Sequence, residues 1–129
     1  MNESLINTMP FAASMGIEIT HADANSVEGN LLVRDDLCTL GNSVHGGALM
    51  AFADSLGAIA AFFNLPEGAT GTTTIESKTN FLRAAPAGSR IRARTTPVSA
   101  GKKVCVLTTS IETEDGKPVA VITQTQLVL

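Results

Sequence analysis

The sequence predicts an α+β domain in which a curved antiparallel sheet wraps around one long buried helix. Three observations carry that reading. Residues 46–63 read GGALMAFADSLGAIAAFF, with Asp54 the sole ionisable residue, and a helix apolar on every side belongs in a core. After it the chain turns β-branched, and turn signals recur at Pro86-Ala87-Gly88, Ala100-Gly101-Lys102 and Asp115-Gly116, as in successive antiparallel strands. A helix without a polar face also needs a sheet that bends around it, because a flat sheet covers one side only.

The elements follow in order. Residues 3–9 fit a short helix that stops before Pro10, since a residue preceding proline is pushed out of helical geometry. Residues 16–21 and 26–33 alternate apolar and polar and form a hairpin across Asp23-Ala24-Asn25. Residues 34–44 are a polar loop, with Asn42 or Ser43 as N-cap of the long helix. That helix ends at the breaker cluster Asn64-Leu65-Pro66-Glu67-Gly68. Four strands are then expected at 72–82, 89–98, 104–114 and 119–129.

With 129 residues and no break in composition, one domain spanning 1–129 is expected. A net charge of -3, no Trp or Tyr and five Phe argue against a nucleic-acid partner, which needs basic excess or stacking platforms. Cys38 and Cys105 are too few and too far apart for a disulfide framework or a metal site, and reduced thiols in a cytoplasm are the simpler expectation. The N-terminus lacks a signal peptide's basic start and apolar run. Asp54 at the centre of the apolar segment, without flanking Lys/Arg clusters, argues against a membrane span.

The chemistry centres on Asp54. A carboxylate in an apolar core costs several kcal/mol unless it is paired, so Asp54 reads as a general base or direct nucleophile. The alternative is a structural acid bonded to backbone or Ser55. Gly46 and Gly47 would present first-turn N–H groups that suit a developing oxyanion, or they merely permit close packing. His45 orients this turn or shuttles protons. Nine residues separate His45 and Asp54, which puts them on opposite sides of one helix and about 13 Å apart along its axis. They cannot pair within one chain, but a two-fold dimer can bring one helix start to the other chain's acid. Arg90, Arg92 and Arg94 share one face of a strand. With Lys102-Lys103 they form either a solvated stripe or a dock for phosphates. Gly41-Asn42-Ser43-Val44-His45 begins like a nucleophile elbow but lacks its final glycine.

The run Gly41-Asn42-Ser43-Val44-His45-Gly46-Gly47-Ala48-Leu49 followed by Asp54, the stretch from Thr74 to Arg83, and the ending from Asp115 to Leu129 resemble the hotdog-fold acyl-CoA thioesterases. The likeness is to their phenylacetate-degradation (PaaI-like) and 4-hydroxybenzoyl-CoA types. The resemblance implies hydrolysis of acyl-CoA without metal or organic cofactor, in dimers or in tetramers built as dimers of dimers, with each active site shared across an interface. It also implies a water-holding hydroxyl at Thr74, although a strand threonine needs no such role. Members often carry Asn or Gln six residues before the histidine. Here Thr39 stands at that position and Asn42 lies three before it, so either is a candidate polar helper in substrate binding, beside Gly47. Two rival readings are a hotdog dehydratase or hydratase, which needs a His–acid pair, and a non-catalytic acyl-CoA-binding module, which has no use for a buried carboxylate.

Overall fold

The computed structural model describes residues 2–129. Two short helices, α1 (Asn2–Asn7) and α2 (Pro10–Met15), precede the hairpin β1 (Glu18–Ala22) and β2 (Val27–Leu32). A 3-10 turn at Asp35–Leu37 leads to α3 (Gly46–Phe63), followed by β3 (Thr72–Phe81), β4 (Arg90–Ala100), β5 (Val104–Thr113) and β6 (Pro118–Val128). The six strands form one antiparallel sheet in the order β1-β2-β4-β5-β6-β3. The expected α+β hotdog architecture is therefore present, with α3 packed against five of the strands.

The core is the seam between α3 and the sheet's inner face. Leu49, Phe52, Leu56 and Ile59 of α3 meet Val27, Leu31, Ile91, Leu107, Ile111 and Ile122 of the strands, all buried. Inward and outward residues alternate along β4, where Ile91, Ala93 and Thr95 are buried while Arg92 and Arg94 are exposed. Burying aliphatic side chains on this scale, at about 1.5–3 kcal/mol each, holds the helix in the sheet's curve.

The structure departs from the sequence reading in three places. Pro10 opens a helix as well as limiting one: it is the first residue of α2, where its missing N–H costs nothing, and Gly16 closes α2 at φ 84°. The N-cap of α3 is His45, whose side chain accepts from the Gly47 N–H, rather than Asn42 or Ser43. Most consequential, α3 is not buried all round. Gly47, Met50, Asp54 and Phe62 lie on an exposed strip, because the sheet wraps one side and leaves the other open. Asp54 is thus exposed in the single chain, and the cost of burying it cannot be charged to that chain's own fold.

The sheet's two ends differ. α1 packs on β1 at one end. At the other, β3 pairs among the described residues with β6 alone, and none of its ten residues is buried. β3 thus leaves a long edge unpaired beside the open strip of α3.

Candidate active site

The site is built where α3 meets β3. Thr74 donates its hydroxyl to Asp54 Oδ1 at 3.1 Å, and Asp54 Oδ2 makes no hydrogen bond among the described residues. A β-bulge between Thr74 and Glu76 shifts the register. As a result Thr74, Ser77, Thr79 and Phe81 all sit opposite the inward residues Gln126, Gln124, Ile122 and Ala120 of β6. Bulges of this kind re-aim side chains near functional sites. Two of those hydroxyls, Ser77 Oγ and Thr79 Oγ1, are buried without a hydrogen-bond partner, so the seam is polar and partly unsatisfied from Asp54 toward Phe81.

At the N-terminus of α3 the glycines have separate duties. The Gly47 N–H is bonded to His45 Nδ1 at 2.8 Å. The Gly46 N–H has no partner among the described residues, which leaves it free for an external acceptor, aided by the helix dipole. A Cβ at Gly46 would meet the Phe81 ring at 3.1 Å, so a side chain here would press on that ring. The bond that His45 accepts puts its ring proton on Nε2, and the side chain is engaged as a cap.

The structure brings Asp54 and Thr74 together, and His45 with Gly46 and Gly47. It does not bring these two groups together within one chain: Gly46 lies eight residues before Asp54, about 12 Å along the helix axis. Thr39 and Asn42 lie on an exposed loop where the Thr39 N–H bonds the Ser43 carbonyl. Asn42 occupies the left-handed region at φ 56°, which asparagine enters more readily than most residues. Arg92 faces outward, away from α3, and pairs with Glu112 at 2.7 Å. Its neighbours Arg90 and Arg94 pair with Glu18 and Glu28. Lys102 and Lys103 sit in the β4–β5 turn, and Lys102 borders a cavity with Pro66, Gly68 and the C-terminal Leu129.

Three residues outside the sequence reading belong to this site. Among the described residues Arg83 forms no ion pair, unlike the four other arginines, and it shares a cavity wall with Gly46, Leu49 and Phe81. Gln124 and Gln126, each 1% exposed, lie beneath Thr74. Two amides at successive inward positions of a terminal strand, Gln124 and Gln126 after the apolar Ala120 and Ile122, were the available signal, since buried polar side chains are unusual in a core strand. Among the described residues no cluster of three His, Cys, Asp or Glu is placed to hold a metal. Cys105 is buried, and burial pushes its thiol above the usual range, so it is a poor nucleophile.

Comparison with known proteins bears on the fold and the family. A family model described as the thioesterase superfamily matches residues 41–120. A putative esterase of Haemophilus influenzae is 30% identical over 103 residues, covering 80% of this chain and 73% of that protein. A solved thioesterase from Haemophilus influenzae superposes with a TM-score of 0.90 at 27% identity, covering 100% of this chain and 90% of the other. The phenylacetic acid degradation protein PaaI of Thermus thermophilus, solved as a mutant, superposes at 0.85 with 28% identity, covering 93% and 99%. A hypothetical thioesterase of Streptococcus pneumoniae, solved with coenzyme A, shares the fold at 22% identity and a TM-score of 0.80, covering 88% and 85%.

Proposed function

Because this chain belongs to the thioesterase superfamily and is a hotdog-fold thioesterase of the PaaI-like type, we propose that it hydrolyses acyl-CoA thioesters with Asp54 as general base. The observation that carries this reading is the Asp54–Thr74 pair, which holds one carboxylate oxygen and leaves the other open to water. The step balances simply. Asp54 removes a proton from water as the water oxygen bonds the thioester carbonyl carbon. The carbonyl oxygen gains negative charge at the free Gly46 N–H. The tetrahedral intermediate collapses with cleavage of the C–S bond, and the departing CoA thiolate takes up the proton. The products are the free acid and CoA.

The 12 Å between Gly46 and Asp54 makes two chains necessary, since both groups must touch one reacting carbonyl. A two-fold dimer joined along β3 and the open strip of α3 supplies the second chain. Support comes from the apolar side chains left exposed on these two elements, Met50 on α3 and Ile75 and Phe81 on β3, the kind of surface that partners cover. Closing it would surround Asp54 with apolar side chains, restoring the expensive environment that one chain lacks. Two such dimers make the tetramer, in a cytoplasm that keeps both cysteines reduced. His45 is committed as a cap through Nδ1, a positioning role rather than the proton-transfer role that dehydratase chemistry asks of it.

CoA recognition falls to cations without acidic partners. Arg83, beside Gly46, is assigned to the phosphates nearest the pantetheine, and Lys102 and Lys103 to the nucleotide end. Arg92, already neutralised by Glu112, contributes little. The test is a panel of acyl-CoA thioesters followed by thiol release. Turnover of at least one ester supports the reading, whereas tight binding of esters with no thiol released would make the protein a binding module.

A further inference from the structure

The bonds beneath Asp54 form a circuit that begins and ends on adjacent helix residues. The Ala53 carbonyl accepts from Gln124 Nε2 at 3.1 Å. Gln124 Oε1 accepts from Gln126 Nε2 at 2.6 Å. The same Gln126 nitrogen donates to Thr74 Oγ1 at 2.6 Å, and Thr74 donates to Asp54. Gln126 Oε1 accepts from Thr72 at 3.1 Å. A buried primary amide offers two donor hydrogens, and here both of Gln126's are used.

Every orientation in this circuit follows from its first member. A main-chain carbonyl can only accept, so Gln124 must turn its nitrogen to Ala53 and its oxygen to Gln126. Gln126 must then present nitrogen to Gln124, and the same nitrogen reaches Thr74. With its oxygen already accepting, the single Thr74 proton points to Asp54. Gly57 makes room for the arrangement: a Cβ there would lie 2.0 Å from Gln124 Nε2. Glycine in the middle of a helix is destabilising relative to alanine, and the amide it admits accounts for its presence here.

We propose that Gln124 and Gln126 are positioning residues for the base. They fix the direction of the Thr74 hydroxyl and, through it, the rotamer of Asp54, so that Oδ2 stays aimed at water. This rests on the reading of Asp54 as general base. Neither amide touches substrate. Both act through Thr74.

The test is a double-mutant cycle on the acyl-CoA ester turned over fastest. Gln126→Met keeps the length and loses the donors. It should lower kcat by about tenfold or more with KM within twofold, because a misaimed base loses rate rather than binding. In a Thr74→Val background the same change should cost nothing further, since its route to Asp54 is already cut. An equal fall in both backgrounds marks a structural role and overturns the relay, as does no fall in either. Should Gln126→Met fail to fold, Gly57→Ala reports instead: by displacing Gln124 it should lower kcat in the parent but not in Thr74→Val. The two levels fail separately. Full turnover by Asp54→Asn removes the base reading itself, whereas an inactive Asp54→Asn with a neutral Gln126→Met removes only the relay.

Discussion

Thr74 of the edge strand holds Asp54 of the central helix by a single hydroxyl bond of 3.1 Å, and both residues lie on the surface that the single chain leaves open. That bond ties the helix's exposed strip to the sheet's unpaired edge. Whatever covers one also covers the other. Catalysis and assembly are therefore expected to depend on the same surface.

The first prediction concerns assembly. Sedimentation of the native protein should give a dimer or tetramer at micromolar concentration. Ile75→Lys, which places a charge on the exposed edge, should shift it toward monomer and abolish turnover together. A monomer that keeps full activity would contradict a shared site.

A second prediction separates capping from proton transfer at His45. Asparagine caps helices well, so His45→Asn should retain stability and most activity. His45→Ala should lose about 1 kcal/mol in a thermal or urea melt and turn over more slowly, because the Gly46 amide is no longer held. Equal inactivation by Asn and Ala, with stability intact in both, would make the imidazole a proton carrier.

Legibility of the fold was high where periodicity and turn chemistry act locally. The apolar run at 46–63 marks α3, and the turn signals mark every strand boundary to within a few residues. The helix before Pro10 is legible and present as α1, whereas α2 is not, because Pro10 both stops one helix and starts another. The exposure of Asp54 was not legible, since an all-apolar helix looks the same whether a sheet or a second chain covers it. Asp54, Thr74, Gly46 and His45 could be picked out in the chain. Which arginine is free could not, because that depends on the cross-strand partners that neutralise Arg90, Arg92 and Arg94.

A third prediction uses that difference. Arg83→Ala should raise KM for acyl-CoA by roughly tenfold, the scale of one charge-assisted hydrogen bond, with kcat little changed. Its KM should also respond less steeply to salt. Arg92→Ala should leave KM alone. The opposite ranking would move the phosphate site to the outer face of the sheet.

The most direct test is Asp54→Asn. The replacement is nearly isosteric, so the dimer should form and acyl-CoA should still bind, because the carboxylate is assigned to the transition state. Asparagine cannot take a proton from water, and kcat should fall at least about a hundredfold, the usual scale for a lost general base. A folded Asp54→Asn protein that releases thiol at the parent rate would contradict the account.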